Sequence, residues 1–189
     1  TMDGLVDPCE SVCYNCANCT AAIYAARNRD KVCLNKSIED VQGTCMEFGG
    51  TDNIEFDCLG HKISKDGNSG SAFHLNSSEG GSHNISFRDC HIQGFGYAIW
   101  AQSARNLSFE SVGINGTRIW DGGMRFDNSH NLRINKSNIT NGGYGVVNNA
   151  CTGLDIYNSR LEGNTYAIYI NSASQDRCNV TLEDVTGGT

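Results

Sequence analysis

Four cysteines open the chain, Cys9, Cys13, Cys16 and Cys19, separated by three, two and two residues. Thiolates at that spacing suit a zinc or iron–sulfur site as readily as disulfides. Six further cysteines and nine Asn-x-Ser/Thr sequons in 189 residues favour disulfides, since both features belong to an oxidising, extracellular setting. Connectivity among the first four is not readable from spacing. The five histidines, His61, His74, His83, His91 and His130, show no metal-ligand spacing, so no metal and no cofactor is expected.

Acid–base chemistry on a sugar polymer would need clustered carboxylates, or Lys and Arg beside a calcium-binding acidic group, on neighbouring elements. The nearest set is Asp57, Arg88 and Glu110, with Arg133 beside Asp155. Their alternating signs read as cross-strand ion pairs that satisfy one another. No catalytic residue is assigned, and the chain is expected not to be an enzyme. A third group is aromatic: His74, Trp100, Arg125 and Tyr169 recur at one repeat position, with Tyr97, Tyr144 and Tyr166 close beside it. Exposed on a flat, rigid sheet, such side chains form a platform for stacking on sugar rings or packing against a protein. The three tyrosines alternatively fill a corner of the core.

What must position these groups is a repeat. Asn84-Ile85-Ser86-Phe87, Asn106-Leu107-Ser108-Phe109, Asn131-Leu132-Arg133-Ile134 and Gly153-Leu154-Asp155-Ile156 begin alike, and Asn179-Val180-Thr181-Leu182 opens a fifth segment. Successive starts lie 22, 25, 22 and 26 residues apart. Eight residues after the first four starts stand Ile92, Ile114, Ile139 and Leu161, and a third apolar mark falls on Ile99, Met124, Val146 and Ile168. Apolar and polar residues alternate within each piece, the period of a strand with one buried face. A unit this short cannot bury a face alone and must stack on its copies. The pattern predicts an all-β, right-handed parallel β-helix with three strands per coil and 22–26 residues per coil. Its interior is expected to hold one column through Ile54, Ile85, Leu107, Leu132, Leu154 and Val180, and another through Phe56, Phe87, Phe109, Ile134, Ile156 and Leu182.

Segments of the form Asn-Ile-x-Phe-x-x-Cys-x-Ile followed by Gly-Tyr-x-Ile resemble the parallel β-helix repeats of NosD-type and pectin-lyase-like proteins, especially those of prokaryotic, notably archaeal, cell-surface proteins. The resemblance spans residues 18–189 and implies fold more than function, since that family holds lyases, hydrolases, adhesins and scaffolds. The Gly-His-Gly and Arg-Ile-Lys motifs of its polygalacturonase-like members are absent, with Arg133-Ile134-Asn135 a half match to the second.

Net charge is -7 and the isoelectric point near 5.1, which argues against nucleic-acid or anionic-membrane partners. No apolar run approaches a membrane span. Residues 1–30 read as a Cys-rich segment with a capping helix over 20–29, started by Asn18 or Thr20, and 31–189 as the β-helix, the whole a single domain. Long returns over residues 74–83 and 169–178 are expected to form loops at one corner. Cysteines at like positions of adjacent coils can bridge, which pairs Cys58 with Cys90, Cys151 with Cys178 and, in the incomplete first coil, Cys33 with Cys45. Among the sequons, Asn84, Asn106 and Asn179 recur at one strand-opening position where Asn tolerates left-handed backbone. Asn76, Asn115 and Asn138 suit glycans better, with Asn18, Asn35 and Asn135 as further candidates.

The final coil carries Val180, Leu182 and Val185 with no capping helix after it. An uncovered end exposes core side chains and unpaired backbone, a template for association. These features together predict a secreted or cell-surface structural protein stacking head to tail into a filament or surface layer. A carbohydrate-binding adhesin is the alternative, and a polysaccharide lyase or hydrolase a third reading.

Overall fold

The computed structural model describes residues 9–26, 30–67, 69–76, 81–116, 122–149, 152–171 and 179–187. Within them the strands, numbered in chain order, build three parallel sheets. The first sheet holds β1 (Ser11–Cys13), β2 (Lys31–Leu34), β4 (Asp52–Asp57), β7 (His83–Arg88), β10 (Arg105–Glu110), β13 (His130–Asn135), β16 (Thr152–Tyr157) and β18 (Val180–Glu183). The second holds β5 (Lys62–Ser64), β8 (His91–Gln93), β11 (Gly113–Asn115) and β14 (Asn138–Thr140). The third holds β3 (Met46–Glu47), β6 (Ser71–Leu75), β9 (Tyr97–Gln102), β12 (Gly122–Asp127), β15 (Tyr144–Asn149) and β17 (Tyr166–Asn171). The four coils opened by β4, β7, β10 and β13 contribute one strand to each sheet in turn, and Ile38 and Arg160 extend the second sheet by isolated parallel bridges, so backbone groups pair with the coil before and the coil after.

Register follows the repeat. Ile54, Ile85, Leu107, Leu132, Leu154 and Val180 align across the first sheet, and Val32, Phe56, Phe87, Phe109, Ile134, Ile156 and Leu182 form the next column. On the third sheet Met46, Phe73, Ile99, Met124, Val146 and Ile168 align. Six phenylalanines, Phe48, Phe56, Phe73, Phe87, Phe109 and Phe126, are fully buried at the centre. Phe87 and Phe109 stack 5.2 Å apart with a 7° tilt, because like residues on successive rungs keep one rotamer.

The corners depend on left-handed backbone. After first-sheet strands the turn residues Asp89, Ser111, Lys136, Asn158 and Asp184 have φ of 46° to 56°, and after third-sheet strands Ser103 and Asn128 have 54° and 50°. One such residue bends the chain from one sheet into the next without a helix or a long loop, which is what lets a coil close in so few residues.

The first end is lidded by α1 (Cys16–Ala25), with Cys19 and Ile23 buried beneath it. The helix begins earlier than expected because Asn15, rather than Asn18 or Thr20, is its N-cap: the Asn15 side chain accepts from the Asn18 N–H at 2.8 Å. Ahead of the helix, β1 adds a rung to the first sheet by pairing with β2, so the segment read as Cys-rich also carries a strand of the coil.

Four disulfides join Cys9–Cys33, Cys13–Cys19, Cys16–Cys45 and Cys58–Cys90. The Cys58–Cys90 pairing agrees with coil equivalence. The Cys33–Cys45 pairing does not form: Cys33 lies on the first sheet and Cys45 leads into the third, and the amino-terminal segment brings Cys9 to one and Cys16 to the other. Cys151 and Cys178 lie outside the described residues, as do parts of the two long returns. No described helix is long and apolar enough to cross a membrane.

Candidate functional site

The outward face of the third sheet gathers the aromatic residues. His74, Trp100, Arg125, Val147 and Tyr169 align in one column, and Tyr97, Gly122, Tyr144 and Tyr166 in a neighbouring one. The tyrosines are not corner filling. They lie partly exposed and touch the outward column: Tyr97 and Trp100 have centroids 6.5 Å apart, and Tyr144 meets Tyr169 at 5.4 Å and stacks on Tyr166 at 5.4 Å. Val147 is the exception in the outward column, being buried.

Asp127 ties the upper half of this face together. It accepts from Trp100 Nε1 at 2.8 Å, Asn149 Nδ2 at 2.6 Å and Arg125 Nε at 2.9 Å. The Arg125 guanidinium is packed 5.3 Å from the Tyr97 ring centroid and 5.5 Å from that of Trp100, and Nη1 donates to Tyr97 Oη at 3.4 Å. Burial opposes that charge, but the hydrogen bonds to Asp127 and Tyr97 outweigh it and hold the pKa above its ordinary value. His74 stacks on Trp100 at 4.9 Å and reaches Glu47 at 2.9 Å and Gln102 at 3.3 Å. The result is a preorganised face of rings edged with amide and carboxylate groups. Its polar partners, Asp127, Asn149 and Gln102, escaped sequence reading because they stand two residues past the aromatic column and are ordinary polar strand residues.

The first sheet's outward face is a shallow groove of about 400 Å³ lined by Glu55, Arg88, Glu110 and Arg133. Its charges are paired between rungs. Arg88 lies 3.8 Å from both Glu55 and Glu110, and Lys136 lies 3.3 Å from Glu110. Asp57 pairs with Lys31 at 2.9 Å instead of with Arg88. Arg133 is in register with Asp155, and its guanidinium lies over Tyr157 at 5.4 Å. Among the described residues no group of three or more His, Cys, Asp and Glu is placed to hold a metal.

At the far end Leu182 is 53% exposed although its column is buried in the preceding coils. Val180 and Val185 are half-buried, and Val185 joins Leu161, Ala167, Ile168 and Leu182 in an open hollow of about 390 Å³. The glycan candidates scatter: Asn18 lies within α1, Asn35 just past β2, Asn76 past β6, Asn115 on β11, Asn135 at the end of β13 and Asn138 at the start of β14.

Three parallel sheets wound coil upon coil, with like residues stacked in columns, are what the family model for the right-handed beta helix region describes, and it matches residues 14–186. The chain belongs to the right-handed β-helix family. Comparison with curated proteins and with solved structures finds no match. Membership of this β-helix family is consistent with surface proteins, adhesins or lyases, and the four disulfides are compatible with a secreted protein.

Proposed function

We propose that this β-helix protein is a secreted or cell-surface structural subunit that stacks head to tail into an extracellular filament or layer. One observation carries the reading. Of the eight large apolar side chains exposed among the described residues, seven belong to the first described coil with its helix or to the last described strands of the first and third sheets. Val12, Tyr14 and Tyr24 stand at the lidded end, Tyr166, Tyr169, Ile170 and Leu182 at the other, and Leu59 alone lies between. Two different apolar surfaces at opposite ends favour a heterologous contact, which does not close on itself and propagates. Sedimentation and electron microscopy of the 189-residue chain over a range of concentrations test it. Assembly lost in both Leu182→Arg and Tyr24→Arg is the expected result; a monomer at high concentration ends the proposal.

A second reading, a carbohydrate-binding adhesin using Trp100, Tyr169 and Arg125, is favoured by the fixed ring platform around Asp127. Glycan arrays with the wild type and Trp100→Ala test it, and blank arrays remove it. The role we read is structural rather than catalytic, and assays on acidic polysaccharides with and without calcium are expected to show no turnover.

A further inference from the structure

The asparagines that open first-sheet strands form a ladder, and the ladder divides the sequons into two chemical kinds. Asn53, Asn84, Asn106 and Asn131 all hold φ of 54° to 56°. Asn84 Nδ2 donates to Asn53 Oδ1 at 2.9 Å, Asn106 Nδ2 to Asn84 Oδ1 at 2.7 Å, and Asn131 Nδ2 to Asn106 Oδ1 at 3.0 Å. Two sequons, those of Asn84 and Asn106, lie inside this chain. In both, the nitrogen that a glycan would take already gives one of its two hydrogens to the ladder, and the carboxamide plane is held from either side.

The second sheet presents the opposite case. Asn138 is exposed at the start of β14, and its register partner on β11 is Gly113, which has no carboxamide to engage it. Thr140, the hydroxyl of that sequon, projects from the same outward side of the strand because side chains alternate with a period of two. Asn115 is exposed at the end of β11; its Oδ1 accepts from Asn141 Nδ2 at 3.0 Å, an arrangement that leaves its own Nδ2 outside the bond.

We infer that the β-helix carries N-linked oligosaccharide on Asn138 and Asn115 of the second sheet, and that the ladder keeps Asn84 and Asn106 unmodified. The donor is an oligosaccharide on a lipid pyrophosphate. The amide nitrogen attacks the anomeric carbon, the bond from that carbon to the phosphate oxygen breaks, the lipid pyrophosphate leaves with the electron pair, and one Nδ2 proton passes to a base. To become nucleophilic the nitrogen must twist out of conjugation with its carbonyl, and a ladder bond resists that twist. Carbohydrate would then cover the second sheet. This inference stands apart from end-to-end assembly, since its readout is site occupancy.

The test is expression of the whole 189-residue chain in a secretory host that glycosylates sequons, followed by enzymatic glycan release in heavy-oxygen water and peptide mass spectrometry. Occupancy at Asn138 and Asn115 is expected to exceed that at Asn84 and Asn106 at least tenfold. Comparable occupancy at all four, or an empty Asn138, overturns the inference. Asn53→Gly removes the acceptor of the Asn84 nitrogen while suiting the left-handed backbone. Its expected effect is a rise of fivefold or more at Asn84, with Asn106, still bonded to Asn84, unchanged. A secreted, folded Asn53→Gly chain with no rise at Asn84 also overturns it.

Discussion

The ring of Tyr97 lies over Gly122 on the next rung, so close that a Cβ at Gly122 would stand 2.3 Å from the ring's Cδ1 and Cε1. The missing side chain is what lets Tyr97 lean along the column and meet Arg125, whose guanidinium packs against both the Tyr97 and the Trp100 ring.

Gly122→Ala should therefore expel Tyr97 from its seat. The expected cost is about 1–3 kcal/mol, the range for forced overpacking, together with a change in Trp100 fluorescence as Arg125 shifts. Thermal unfolding and emission spectra check it, and an unchanged spectrum would show that the ring is not held there.

Asp127→Ala strips the shared acceptor from Trp100, Arg125 and Asn149. A part-buried guanidinium and an indole N–H lose their partner together, at a cost of about 1–3 kcal/mol for each group left unsatisfied. Denaturant unfolding should show a clear loss, and Asp127→Asn, which keeps an acceptor oxygen but not the charge, should recover only part of it.

Lys31 and Asp57 make an alkaline-sensitive pair. The hydrogen bond that the Lys31 ammonium donates to Asp57, opposed by burial and aided by the charges of Asp57 and Glu55, raises the Lys31 pKa above its ordinary 10.5. A raised folded-state pKa means that the contribution is fully present below 10.5 and is lost as pH climbs through the folded value. Thermal midpoints of the wild type should fall above pH 10.5 more steeply than those of Lys31→Met. At neutral pH Lys31→Met should be the less stable chain, since Asp57, 5% exposed, loses the partner it is paired with.

The lid depends on Cys16–Cys45, which fastens α1 to the segment entering β3 across a separation of 29 residues. Replacing both with Ser should lower stability by about 2–4 kcal/mol and raise binding of a hydrophobic dye at the end where Ile23 now covers the core. A dye signal equal to that of the wild type would show that packing alone holds the helix down.

The repeat was legible because a β-helix asks the same of each coil. Ile85, Leu107, Leu132 and Leu154 share one environment and so share one kind of side chain, and the constant offset to Ile92, Ile114 and Ile139 reproduces the register of the first and second sheets, with Met124 three residues late in its coil on the third. The strand-opening Asn84 and Asn106 were readable for the same reason, since both meet the same left-handed corner. The amino-terminal segment does not repeat, and there the expectations failed in detail. Nothing in Cys9, Cys13, Cys16 and Cys19 records that β1 becomes a rung, or that Asn15 starts the helix.

Local alternation and a recurring interval, then, were enough to determine the winding, the core columns and the Cys58–Cys90 staple, because each is a relation between neighbouring coils at a constant offset. Which cysteines meet in the lid, that Asp127 gathers Trp100, Arg125 and Asn149, and that Asn84 and Asn106 each donate to the asparagine of the preceding rung were decided by tertiary structure. Those contacts turn on side-chain direction and on rungs about 4.8 Å apart, and neither is written in the order of residues along a single strand.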